Sequence, residues 1–254
     1  LAVIPLLLLP LIWTQLPDSV AFLVRQGKIA EARKVLAALT GKPLPDDAEL
    51  AVHQPQKTEQ SLAALFSNNR ALSTLMFFQA FFMCLLMVYG LGSWLPKLMT
   101  MAGYGFGSSL MFLLFLNIGG IIGAIGGGWL SDRFHPRPVL MLFLSGVAVS
   151  LALLGFKSHV AVLYFLVTVA GATTIGSQIL LYAYVAQFYP TAIRSTALGW
   201  SSGVGRIGAI LGPVLGGALL AMQLSHQMNF LAFVVPGALA VIAIMLTAGR
   251  KEAV

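Results

Sequence analysis

Between Arg194 and Gly217 the sequence reads R-S-T-A-L-G-W-S-S-G-V-G-R-I-G-A-I-L-G-P-V-L-G-G. The stretch is long enough to cross a bilayer, and its middle holds one charge, Arg206. On insertion scales a cation at that depth costs about 2.5–3.5 kcal/mol unless it faces protein, water or an anion. A guanidinium can grip a carboxylate through two parallel hydrogen bonds, which an ammonium cannot do. At about 100° per residue, Gly199, Gly203, Arg206, Ile210 and Gly217 share one helix face, and Gly205, Gly208, Gly212 and Gly216 fall on the other. The second set reads as a packing seam for a neighbouring helix. The first is then the open side, with Arg206 about 15 Å from the nearer end at 1.5 Å per residue. Pro213 removes the backbone bond to Ala209 and can kink the helix just beyond. A structural role, with Arg206 paired to a helix end or to an acid elsewhere, stands beside the binding role.

Few other polar side chains share the apolar stretches. Tyr164, Thr174, Gln178 and Tyr182 form one helical stripe, in which Gln178 either donates to a ligand or bonds to another helix. Gln79, Tyr89 and Ser93 lie in the first long apolar segment. Asn117 lies in the second, on the face of Gly120, Ala124 and Gly128, as a helix–helix bond or a cavity contact. The candidate binding set is therefore Arg206, Gln178, Tyr182, Asn117, Gln79 and Tyr89. All eight acids and all four histidines fall outside the apolar segments or at their edges. Nothing within them is placed to carry a proton, hold a metal or form a nucleophile–base pair. An enzyme is not expected, and neither is a cofactor or metal.

The elements that position these residues are transmembrane helices. Charged residues make up 9% of the chain, far below the ~25% of soluble domains. Six spans are expected at Ala71–Pro96, Ser108–Leu130, Val139–Phe156, Val160–Ala183, Ser195–Leu220 and Asn229–Leu246. Leu1–Trp13 reads as the end of an earlier span. Residues 14–70 read as a central loop with short amphipathic helices, one capped by Asp18 or Ser19 and ended by Gly27, and a second over Ile29–Leu39. In the second, Ile29, Ala32, Leu36 and Leu39 share a face. Residues 71–248 form the bundle and 249–254 a tail. If the loop is cytoplasmic, that side collects 12 lysines and arginines against 2, Lys97 and Lys157, on the other. The net charge of +7 is thus a topology signal rather than a nucleic-acid footprint. Trp94 and Pro96 are expected to mark the exit of the first span into the interface.

The turn between the second and third spans reads G-G-W-L-S-D-R-F-H-P-R-P, Gly127–Pro138. Gly128 suits close helix contact, and Asp132 beside Arg133 and Arg137 suits a charge clamp that breaks and remakes as helices rock. This segment resembles the loop signature G-x-L-x-D-R-x-G-R-R of the major facilitator superfamily, with His135 and Pro136 as departures. Leu16-Pro17-Asp18-Ser19, Gly27-Lys28 and Glu31-Ala32 resemble the P-E-S-P-R…G-R-x-E-E-A pattern after that family's sixth helix. Tyr189–Thr196, Gly203–Gly208, Gly212-Pro213 and Asn229–Phe233 resemble the aromatic acid:proton symporters within it, near the benzoate and hydroxybenzoate carriers.

The resemblance implies an all-α membrane protein, the C-terminal six-helix bundle of a twelve-helix fold preceded by the end of helix six. It implies import of an aromatic carboxylate with protons by alternating access across a bacterial inner membrane, with the central loop and C-terminus cytoplasmic. Its partners would be a small aromatic anion, protons, the bilayer and an N-terminal six-helix half, with no nucleic acid. Gly128, Asp132, Arg133, Arg137 and Arg194 would then gate, and the family's acidic signature would lie upstream. An exporter or porter of another small metabolite or drug is the nearest alternative. A six-span channel or membrane scaffold is the alternative of a different class, though no filter-like re-entrant loop is present.

Overall fold

The computed structural model describes residues 18, 20–40, 62–156 and 158–247. The expected helix end over 1–13, residues 41–61 of the expected central loop and the tail 249–254 lie outside the described residues. The chain divides into two compact units, Leu1–Gln56 and Lys57–Val254. In the first, α1 (Val20–Arg25) and α2 (Ile29–Thr40) are joined by a tight turn. Gly27 ends α1 in the left-handed region at φ +76°, and the Lys28 N–H reaches the Leu23 carbonyl at 2.9 Å. Leu23 and Ala32 are buried between the two helices, whereas Ile29 and Leu39, expected on the same apolar face as Ala32, are exposed.

The second unit opens with α3 (Leu62–Phe66), a turn of helix where only loop was expected. Its Leu65 is fully buried, and its carbonyl accepts from the Thr74 hydroxyl at 2.7 Å. Six long helices follow: α4 (Ala71–Met101), α5 (Phe106–Arg133), α6 (Pro136–Leu154), α7 (Val160–Phe188), α8 (Thr191–Ala221) and α9 (His226–Leu246). Each is long and apolar enough to span a membrane. The described residues contain no strand.

The helix ends follow local chemistry. His135 Nδ1 accepts from the Arg137 N–H at 3.4 Å with Pro136 at the first helical position, so the two departures from the loop signature form the N-terminus of α6. His159 caps α7 and Ser225 caps α9 in the same way. Links as short as Tyr189-Pro190 set consecutive helices antiparallel. Most of the helices run a few residues past the expected spans, whereas α6 ends at Leu154, before the expected Phe156. Helix α4 continues through Pro96 to Met101, because one lost backbone bond does not end a well-packed membrane helix.

Two helix pairs approach closely through glycine. Along α8, a Cβ on Gly208 would run into the Phe82 carbonyl, one on Gly212 would sit 2.5 Å from the Leu86 carbonyl, and one on Gly216 would overlap the Trp94 ring. Gly205 rests on Phe81 and Leu85. The matching pair is α5 with α7, where Gly119 meets Thr168, Gly123 meets Ala172 and Gly171 meets Leu116. Helix α6 packs on α7 and α9, and α9 on α4. Phe77, Phe81, Leu144 and Leu181 fill one end of the core; Met87, Phe112, Val147 and Phe233 fill the other.

Trp94, expected at the exit of the first span, also packs against α8. Its indole N–H donates to the Pro213 carbonyl at 2.6 Å, and its ring covers Gly216 and Gly217. It thus stiffens α8 next to the proline that weakens it.

Candidate functional site

The seam fixes what α8 shows on its other side. With Gly205, Gly208, Gly212 and Gly216 turned into α4, Gly199, Gly203, Arg206 and Ile210 are left exposed. Arg206 Nη1 donates to Tyr89 Oη at 3.1 Å. The two residues lie 117 positions apart and meet because α4 and α8 run side by side. No acid lies near the guanidinium among the described residues, where the ion pair is Lys28–Glu31 in the first unit. The cation is held by a neutral phenol, an arrangement that leaves its second edge for an anion.

Helix α7 adds two groups. Tyr182 Oη donates to Ser202 Oγ on α8 at 3.0 Å, and its ring meets Phe81 edge-on at 4.9 Å. Because α7 and α8 are antiparallel, this bond sets Gln178, one turn earlier on α7, level with Arg206, one turn later on α8. Gln178 is half-buried and its amide has no partner among the described residues. Arg206, Tyr89, Gln178, Tyr182 and Ser202 therefore gather along one flank of α4, α7 and α8. Ser202 was absent from the expected set; its spacing of four from Arg206 was the available signal.

The structure does not bring the other candidates to this flank. The Gln79 amide donates to the Leu239 carbonyl of α9 at 3.5 Å, a helix–helix bond on the far side of α4. The Asn117 amide donates to the Leu113 carbonyl of its own helix at 2.7 Å. Asn117 makes no interhelical bond among the described residues, and Gly119 beside it packs at Thr168. That level is ten residues from Gln178, a rise of about 15 Å. Thr174 is buried and bonds back to Ala170, and Tyr164 stacks on Phe115, so neither continues the expected stripe.

At the end of the bundle that carries Arg133, Arg137 and Arg194, the expected clamp is open. Asp132 is exposed and without an ion pair among the described residues. Arg133 lies over Trp129, 5.8 Å from the ring centroid, and Arg137 donates to the Met245 carbonyl at 2.8 Å. Arg194 is half-buried, with its Nε unbonded. Gly128 makes no close helix contact here: a Cβ there would meet nothing within 4 Å, and Gly127 makes the approach instead, against Phe143. Nearby, Tyr189 Oη lies 2.7 Å from Thr74 Oγ1 and ties the start of α8 to α3 and α4. Burial raises the Tyr189 phenol above its ordinary value of 10, against the lowering effects of the Thr74 hydrogen bond and the Arg70 charge.

Residues 118–253 match the family model described as Major Facilitator Superfamily, and residues 1–93 match that of Sugar (and other) transporter. The chain belongs to the major facilitator superfamily. This major facilitator chain is 44% identical over 254 residues to the benzoate transport protein of Acinetobacter baylyi, covering 99% of this chain and 54% of the relative. It is 33% identical over 252 residues to the 4-hydroxybenzoate transporter PcaK of Pseudomonas putida, covering 96% of this chain and 55% of the relative. The chain thus spans about half the length of these curated relatives. Among solved structures, the E. coli fucose:proton symporter FucP superposes with a TM-score of 0.64 at 16% identity, over 87% of this chain and 54% of that one. That likeness carries the fold alone.

Proposed function

We propose that this chain forms the C-terminal half of a secondary transporter that imports an aromatic carboxylate, such as benzoate or a hydroxybenzoate, together with protons. The single observation that carries this reading is the Arg206 guanidinium, exposed at mid-helix on the open face and held, among the described residues, by the Tyr89 hydroxyl alone. Transporters of this build bind substrate near the bilayer midplane, between repeats that rock against each other. The names of the two curated relatives point to the same chemistry.

On this reading the carboxylate takes the free edge of Arg206, and Tyr89 turns its own proton toward a carboxylate oxygen. Gln178 supplies a second donor at that level. The other wall of the cavity, and the acid that couples proton movement, belong to an N-terminal half. The protein sits in a bacterial inner membrane with the central loop and C-terminus cytoplasmic. Asp132, Arg133, Arg137 and Arg194 then work at the cytoplasmic rim, forming one set of contacts in one orientation of the halves and releasing it in the other.

The test is uptake by the full-length protein of benzoate, 4-hydroxybenzoate, an aliphatic dicarboxylate and a neutral sugar, with and without a proton gradient. Gradient-dependent accumulation of the aromatic acids alone supports the proposal. Uptake of the sugar, or no uptake of either aromatic acid, refutes it.

A further inference from the structure

The Tyr182–Ser202 pair lies beside the anchor but does not contact it, and its hydrogen bonding is incomplete. Ser202 Oγ accepts from Tyr182 at 3.0 Å, which leaves the serine proton to be donated elsewhere. Buried hydroxyls in this bundle usually dispose of that proton on the carbonyl four residues back. Ser150 does so at 2.7 Å, Thr173 at 2.7 Å and Thr174 at 2.6 Å. Ser202 does not, and no acceptor takes its proton among the described residues. Phe81, edge-on to Tyr182, fixes the phenol that orients it.

Position gives this free donor a use. Ser202 lies one turn from Arg206 on α8, about 6 Å along the axis and about 40° around it. The guanidinium is drawn the other way, toward Tyr89. Tyr89 adjoins Gly90, and a Cβ on Gly90 would sit 3.3 Å from the Gly212 carbonyl, beyond Arg206 along α8. Guanidinium and serine hydroxyl thus start from backbone positions about 6 Å apart along α8, with the guanidinium bonded to Tyr89 rather than to Ser202. A benzene ring with a carboxylate at one end and an oxygen at the other spans such a gap. The wall beside it is bare, since a Cβ on Gly199 or Gly203 would meet nothing within 4 Å. A flat ring can lie against that wall.

We propose that Ser202, oriented by Tyr182, reads a hydroxyl at the far end of the ring, so that the site selects para-hydroxylated aromatic carboxylates over unsubstituted ones. This inference rests on the reading of Arg206 as the carboxylate anchor. Tyr182 is a positioning residue here: its hydroxyl is spent on Ser202 and reaches the ligand through it.

The experiment measures kcat/KM for 4-hydroxybenzoate, 2-hydroxybenzoate and benzoate with the full-length protein. Membrane protein level and the size-exclusion profile serve as folding controls. Wild type should favour 4-hydroxybenzoate over both of the others, because the hydroxyl of 2-hydroxybenzoate sits beside the carboxylate and away from Ser202. Ser202→Ala and Tyr182→Phe should each cut the 4-hydroxybenzoate:benzoate ratio about tenfold, the scale of one hydrogen bond at the upper end of its net value. Ser202→Thr, which keeps the donor, should retain the preference. An unchanged ratio in well-folded Ser202→Ala, with Arg206→Lys still weakening every acid, overturns this inference and leaves the anchor intact. Uptake that does not respond to Arg206→Lys overturns both.

Discussion

Arg206→Lys separates a carboxylate fork from a mere positive charge. The structure shows one guanidinium nitrogen committed to Tyr89 at 3.1 Å, with the rest of the group facing the open side. A bound carboxylate would receive two donors from the arginine. Lysine offers one compact ammonium, whose donors are not set as a planar fork and cannot give the carboxylate two parallel bonds. Losing one charge-assisted bond costs about 1.5–3 kcal/mol, a factor of about 10 to 150 in apparent affinity. The Arg206 side chain is exposed on this flank, so the lower end, a rise of about tenfold in KM, is the expectation. The assay is initial-rate uptake of labelled aromatic acid by the full-length protein over a substrate series, normalised to membrane protein level. Protein level should hold near wild type, because the Arg206 side chain is exposed. A variant with wild-type KM would refute the fork. A variant that disappears from the membrane would point to a structural arginine.

The remaining expectations concern the scaffold and the rim. Gly208→Val forces a side chain into the Phe82 carbonyl, whereas Gly203→Ala points into open space. The first should cost about 1–3 kcal/mol of stability and the second nearly nothing, read as melting temperature in detergent. Asp132→Asn should slow turnover several-fold while leaving substrate Kd within about twofold, because an exposed, unpaired carboxylate can matter only in the other orientation; loss of binding in step with transport would remove it from the gate. Tyr189 has its pKa raised by burial, so the stability it contributes is complete below pH 10 and falls as pH rises through the higher folded value. A melting temperature that declines above pH 10, with a shallower decline in Tyr189→Phe, checks this.

The six membrane helices were legible because a bilayer imposes length and hydropathy that no other environment requires. The α8 seam was legible for a similar reason. Glycines recurring every three to four residues leave a groove, and only another backbone fits it. Side-chain partners were less accessible. Periodicity places Gln79 on a face but does not say whether α8 or α9 lies against that face, and the amide went to α9. Asn117 was open to two external roles, and spacing gave no sign that its amide would bond the Leu113 carbonyl one turn back on its own helix. Tyr89 and Tyr182 were named as candidates, yet their partners lie 117 and 20 residues away and appear only when helices meet. Trp94 was read from its residue type alone, which says nothing of a helix partner. The glycines at 216 and 217 make room for its ring against α8.

The seam and the anchor depend on each other. An α8 with ordinary side chains at 205, 208, 212 and 216 would stand farther from α4, and Tyr89 could not reach Arg206. Removing the phenol would leave a guanidinium on a bare apolar flank, where charge is expensive. Close packing therefore makes the unpaired cation tolerable, and the phenol does so without neutralising it. A carboxylate in Tyr89's place would settle the charge more strongly, but an arriving anion would then have to break an ion pair. A neutral donor–acceptor holds the guanidinium in position and can share it. That is the combination a site needs when its anion must both bind and leave.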